Sequence, residues 1–157
     1  MAEDLYLSWD ELHRDAKALA ALLVGRGPGS GAFQGIVGIS RGGLVPAAIV
    51  ARELTILTVE VVSISSYDHQ KKGEPKLLKA ASAAGEGEGW LVIDDLVDGG
   101  DTMRLVSQLM PKACRAAVYA KPRGEPLLHV FARRLPQELW VHFPWDCAPR
   151  YVPPIAG

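Results

Sequence analysis

A chain of 157 residues with 17 basic and 18 acidic side chains is the size of one domain, and its net charge of -1 gives no general reason to expect a nucleic-acid backbone as partner. Two cysteines, Cys114 and Cys147, are too few for a disulfide framework, and no apolar run approaches the ~20 residues that span a bilayer. The acidic start Met1-Ala2-Glu3-Asp4 lacks the basic-then-apolar order of a secretory signal, so we read a single cytoplasmic domain over residues 1–157, with membrane contact limited to peripheral association.

Ser8 and Glu11 have the spacing of a capping box, and Leu12, Ala16, Leu19 and Leu23 recur at helical intervals behind it. Pro28 and the glycines of residues 25–31 should end that helix in a mobile surface connection. A short strand at 35–39, a mostly helical segment at 45–54 and a β-rich run at 58–64 follow, then a strand at 91–93, a helix at 103–110 and a strand at 116–120. Strands alternating with helices predict an α/β domain with a mostly parallel central sheet. Residues 66–89, rich in lysine and glycine with little apolar periodicity, read as a long mobile loop with at most a short ordered piece.

Two turns carry the chemistry. Ser40-Arg41-Gly42-Gly43 follows the first central strand, where a flexible backbone and a permanent cation suit a phosphate at the carboxyl end of an open sheet. The second begins where the strand at 91–93 is expected to leave the sheet: Asp94 and Asp95, then Asp98, Gly99, Gly100, Asp101 and Thr102, leading into a helix. Peptide N–H groups of such a turn converge on phosphate and Thr102 adds a hydroxyl, while the paired carboxylates suit ribose hydroxyls and the hard oxygen environment of magnesium. An ordinary strand-turn-helix junction would use similar residues; the presence of two such corners favours a ligand. Neither corner has the spacing of a dinucleotide fingerprint or a P-loop, which argues against a conventional dehydrogenase or kinase. His13, His69, His129 and His142 are scattered without zinc-ligand spacing and read as local structural or surface groups.

These corners, together with SRGGLVPA at 40–47, ISSYDH at 64–69, VIDDLVDGGDT at 92–102, AKP at 120–122, LPQELW at 135–140 and FPWD at 143–146, resemble the purine phosphoribosyltransferases of the xanthine-guanine type over nearly the whole chain. The resemblance implies a type I phosphoribosyltransferase fold, helices flanking the sheet, and a small C-terminal hood over residues 122–154 that binds the base. It implies transfer of 5-phosphoribosyl from magnesium-bound phosphoribosyl pyrophosphate to xanthine or guanine, with hypoxanthine as a further candidate, giving the nucleotide and pyrophosphate.

Carried onto this chain, Ser40, Arg41, Gly42 and Gly43 would contact pyrophosphate, with a cis peptide before the arginine. Asp94 and Asp95 would face ribose and magnesium, Asp95 as the metal ligand. Asp98, Gly99, Gly100, Asp101 and Thr102 would enclose the 5-phosphate, and Asp98 would assist proton transfer. Lys121 would donate to the purine 6-oxo group, an ammonium having nothing to offer a 6-amino group. Trp140 would stack on the ring, and backbone groups of Trp140 and Val141 would read its edge. The loop at 66–89, with Tyr67, Lys71, Lys72, Lys76 and Lys79, would close over the donor, and the protein would assemble as a dimer or tetramer.

The chain departs from the family pattern at Gly99, where threonine is usual, and at Asp101, where glycine is common in the xanthine-guanine version. A nonenzymatic phosphoribosyl-nucleotide sensor or regulatory binding module is therefore the alternative reading. An RNA-binding relative finds no aromatic-basic motif to support it.

Overall fold

The capping box forms as its spacing requires: Ser8 N donates to Glu11 Oε2 at 2.9 Å and Glu11 N to Ser8 Oγ at 3.1 Å, starting helix α1, Trp9–Leu23. In the computed structural model, which describes residues 3–65, 74–146 and 152–156, α1 is preceded by strand β1, Asp4–Tyr6. There follow β2 Gly35–Ser40, α2 Leu44–Glu53, β3 Val59–Ser65, β4 Lys76–Lys79, β5 Trp90–Val97, α3 Asp101–Leu109, β6 Cys114–Ala120, β7 Val130–Arg134 and β8 Trp140–His142. The expected α/β class and mostly parallel sheet are observed.

The main sheet has the order β4-β3-β2-β5-β6-β7, parallel throughout except for β4 against β3. Alternating side chains feed two cores. Ile36, Leu91, Ile93 and Ala116 pack with Leu12, Leu19, Leu23 and Val50 of α1 and α2, whereas Val37, Val92 and Ala117 pack with Met103 and Val106 of α3. Burial on both faces explains why the central strands are continuously apolar instead of alternating with polar residues.

One expectation changes, and the loop and the C-terminal segment gain detail. β5 does not end at residue 93 but runs on through both acids, because β6 continues to pair with it to Val97↔Ala120 after β2 has stopped at Gly38↔Ile93. The stretch read as a loop contains β4, an antiparallel edge strand whose four residues are all exposed. Its Lys79 donates to Glu60 Oε1 and the Val61 carbonyl, holding the edge onto β3. Residues 66–73 of the proposed lid, including Tyr67, Lys71 and Lys72, lie outside the described residues. Within residues 122–154, β7 completes the edge of the main sheet, while β8 pairs in parallel with β1, so the small second sheet takes one strand from each end of the chain. No helix among the described residues is long and apolar enough to cross a membrane.

Candidate active site

From β2 the chain winds outward through β3 to β4, and from β5 it winds the other way through β6 to β7, so the strand order reverses between β2 and β5. Helix α2, which follows β2, and helix α3, which follows β5, pack in opposite cores. Such a switch point leaves a crevice beyond the strand ends. A cavity of about 340 Å³ lies there, lined by Ser40, Arg41 and Gly42 on one side and by Asp94 to Met103 on the other. The two turns singled out in the sequence thus meet across one opening.

On the β2 side the Ser40-Arg41 peptide is cis, as the resemblance implied. Ser40 Oγ donates to Ser63 Oγ at 2.9 Å, tying the turn to β3, and the Arg41 side chain is exposed at the rim. Gly42 leaves the Asp95 carboxylate its place: a Cβ there would overlap it and push it aside. Gly43 lies behind the turn, outside the cavity lining, where a Cβ would come within 2.5 Å of the Ile93 carbonyl oxygen.

Across the crevice Asp94 is buried and Asp95 half-buried. Asp94 Oδ1 accepts from Asp95 N at 2.9 Å and Asp95 Oδ1 from Leu96 N at 2.7 Å. Burial, and then the neighbouring Asp95 charge, hold the Asp94 carboxyl well above the usual range; burial raises Asp95 as well, against the pull of its hydrogen bonds. Among the described residues no basic side chain is ion-paired with either acid. The chain therefore presents two carboxylates that an added cation would favour in their ionised form.

The turn after β5 places Gly100 at a φ of 93° immediately before α3. A side chain there would be strained and would meet Leu127 Cδ1 at 2.5 Å. Asp101, Thr102 and Met103 then open the helix against the cavity, so unpaired N–H groups of its first turn face the opening. The two unusual residues are accommodated. A side chain at Gly99 would project into open space, and the exposed Asp101 carboxylate accepts from Arg104 Nη1 at 2.9 Å one turn along α3.

Asp98 joins this turn to the next loop. Its Oδ2 accepts from Lys121 Nζ at 2.9 Å and its Oδ1 from Gln137 Nε2 at 2.6 Å. Lys121 is only 3% exposed, its stem enclosed and its backbone N donating to the Val97 carbonyl at 3.0 Å. Gln137 is the polar contact that residue-by-residue reasoning missed, since nothing in its chemistry or spacing sets it apart within LPQELW. Trp140 and Val141 stand on β8, outside the cavity lining; Trp140 is 47% exposed and its backbone N donates to the Glu3 carbonyl at 2.8 Å.

The histidines stay away from this site among the described residues: His129 Nδ1 accepts from Arg115 N, and the His142 ring stacks on Tyr6 with centroids 4.3 Å apart.

Comparison with known proteins places this geometry. The phosphoribosyl transferase domain family matches residues 8–151. A xanthine-guanine phosphoribosyltransferase of Cereibacter sphaeroides is 49% identical over 97% of this chain and 92% of its own length, and one of Desulfotalea psychrophila 51% identical over 96% and 91%. The fold matches a purine phosphoribosyltransferase of Pyrococcus horikoshii with a TM-score of 0.77, at 24% identity over 97% of this chain and 99% of that one. It also matches the xanthine-guanine-hypoxanthine phosphoribosyltransferase of Helicobacter pylori at 0.71, with 18% identity over 91% and 94%. The chain belongs to the phosphoribosyltransferase family, among relatives that are xanthine-guanine phosphoribosyltransferases.

Proposed function

We propose that this enzyme transfers the 5-phosphoribosyl group of phosphoribosyl pyrophosphate to xanthine or guanine, with hypoxanthine as a further substrate, in purine salvage. The observation that carries the proposal is the meeting, at one switch-point cavity, of a buried acid pair with a helix N-terminus suited to phosphate. The close relatives named for xanthine and guanine support the choice of base.

In the transfer, a purine ring nitrogen bonds to the anomeric carbon as the bond from that carbon to pyrophosphate oxygen breaks, and the ring nitrogen loses its proton. The first turn of α3, with Gly99, Gly100, Asp101 and the Thr102 hydroxyl, holds the 5-phosphate. Asp94 and Asp95 orient the ribose by accepting from its hydroxyls. Ser40, Arg41 and the backbone at Gly42 receive the pyrophosphate, Arg41 through its fork of donors, with Gly43 packed behind the turn. Asp98, already within reach of Lys121, accepts the proton leaving the base. Lys121, held by Asp98, offers another N–H of its ammonium to the 6-oxo oxygen, and Trp140 with the Val141 backbone closes on the ring as part of the hood. Alignment of nitrogen and carbon, with stabilised leaving-group charge, supplies most of the acceleration.

Magnesium fits this donor set. Two oxygen-only side chains without a cationic partner suit a hard divalent ion, and among the described residues no cluster of three or more ligating side chains would complete a cage, so Asp95, helped by Asp94, would share it with oxygens of the donor. When bound, magnesium neutralises charge on the departing pyrophosphate. Assembly as a dimer or tetramer belongs to the same reading and is checked by light scattering.

The test is nucleotide formation by purified protein from phosphoribosyl pyrophosphate with xanthine, guanine, hypoxanthine or adenine, with magnesium and with chelator. Turnover of the 6-oxopurines, weak use of adenine and loss in chelator are expected. Folded protein that makes no nucleotide from any of them would overturn the proposal.

A further inference from the structure

We infer that Gln137 is a positioning residue for 6-oxopurine recognition, fixing Asp98 and through it Lys121; the inference rests on the function proposed above.

Lys121 ends in a flexible four-carbon stem, yet its ammonium can serve as a selective donor only if it is held near one place. The stem is enclosed at 3% exposure, and its head is fixed by Asp98 at 2.9 Å. Asp98, however, stands on the turn beyond β5 with its side chain 51% exposed, where a carboxylate bound at one oxygen would still swing. Gln137 removes that freedom by donating to the other oxygen at 2.6 Å.

The Gln137 amide is itself oriented. Its Oε1 accepts from Arg123 N at 3.0 Å while its Nε2 faces the carboxylate. Turning the amide over would set N–H against N–H and carbonyl against carboxylate, so the two neighbours together fix which atom is which. A single side chain therefore clamps three segments far apart in sequence: the phosphate turn at Asp98, the loop after β6 at Lys121 and Arg123, and the stretch leading into Trp140. Asp98 and Lys121 are the charged side chains in this network; Arg123 enters it through its backbone N–H, and Glu138, next in sequence, is exposed.

Two variants test this. Gln137→Met keeps length and volume but removes both hydrogen bonds. We expect KM for xanthine and guanine to rise about tenfold and the preference over adenine to shrink, with KM for phosphoribosyl pyrophosphate within about twofold of wild type and the melting temperature little changed. Gln137→Glu reproduces the amide only when protonated, its O–H then donating to Asp98 and its carbonyl accepting from Arg123. Its rate relative to wild type at the same pH should recover as pH falls, while the Gln137→Met ratio stays flat.

Binding of GMP by calorimetry, which needs no turnover, separates this inference from the function it rests on. Weaker GMP binding by Gln137→Met supports the inference even if wild type proves inactive; wild type that neither turns over nor binds GMP overturns both. Wild-type base kinetics in folded Gln137→Met overturn the inference alone. So does an equal loss toward base and donor with a lowered melting temperature, which would mark a purely structural contact.

Discussion

Gly42 and Asp95 compete for one volume: the carboxylate of the acid lies where a Cβ on the glycine would be. The glycine that lines the cavity is also the place where β5's acid reaches across the switch point. Gly42→Ala should displace a side chain that can turn aside, lowering kcat/KM for phosphoribosyl pyrophosphate roughly 100-fold while costing under about 1 kcal/mol of stability. Gly43→Ala meets the backbone of Ile93 and Ile39, which cannot turn aside, and should cost roughly 1–3 kcal/mol or more. Kinetics and thermal melts of the pair check the contrast; equal melting losses would contradict it.

Lys121→Ala should lower kcat/KM for xanthine and guanine by about 10- to 100-fold, the value of a hydrogen bond from a charged donor, and should leave the poor use of adenine nearly unchanged. Because the lysine stem is buried, Lys121→Met is the companion that keeps the packing. Steady-state rates across xanthine, guanine, hypoxanthine and adenine decide the matter, and unchanged 6-oxopurine kinetics in either folded variant would remove Lys121 from base recognition.

What could be read from the chain follows the range of the interactions involved. Ser8 and Glu11 are three residues apart and satisfy each other locally, so the start of α1 is visible in sequence. The central strands announce themselves because Ile36, Val37, Leu91, Val92 and Ile93 are all buried. The far end of β5 does not, because its register with β6 is a backbone property that Asp94 opposite Ala117 conceals. Nor does β4, whose lysines and leucines are all exposed and show no buried face. The phosphate turn and acid pair were legible as residue types in order. The clamp on Asp98 was not: Lys121 and Gln137 lie 23 and 39 residues away from it, and only the packing of β6 and the segment before β8 brings them there.

Asp94→Asn should make the ligand-free protein more stable at neutral pH while abolishing efficient transfer. Burial and the Asp95 charge raise the folded-state pKa of Asp94 above its unfolded value, so the folded protein holds that proton more tightly than the unfolded chain. The resulting stability deficit is full above the raised pKa, shrinks as pH falls through it, and vanishes below the ordinary Asp value of about 4. Asparagine keeps an acceptor for Asp95 N and can donate to the Asp95 carboxylate. The variant's melting temperature should exceed wild type at pH 7, with the gap closing toward pH 4. A variant less stable than wild type at neutral pH would show that the acid pair is not strained by its burial.

The unusual phosphate turn leads to the last prediction. Gly99 does not adopt a left-handed φ and a Cβ there meets nothing within 4 Å, so Gly99→Thr should fold unchanged and place a hydroxyl beside the cavity. One added donor to phosphate should lower KM for phosphoribosyl pyrophosphate several-fold, about 3- to 10-fold. Asp101 behaves differently. Its carboxylate is exposed and paired with Arg104, and it sits in the first turn of α3, where an acid favours the helix. Asp101→Gly should therefore improve donor affinity by less than about threefold, an effect that fades with salt, and should cost about 0.5–1 kcal/mol of stability. Donor kinetics at low and physiological ionic strength, alongside melts, separate the two positions. A larger gain from Asp101→Gly than from Gly99→Thr would mean that the Asp101 charge turns toward the ligand and that Arg104 does not hold it away.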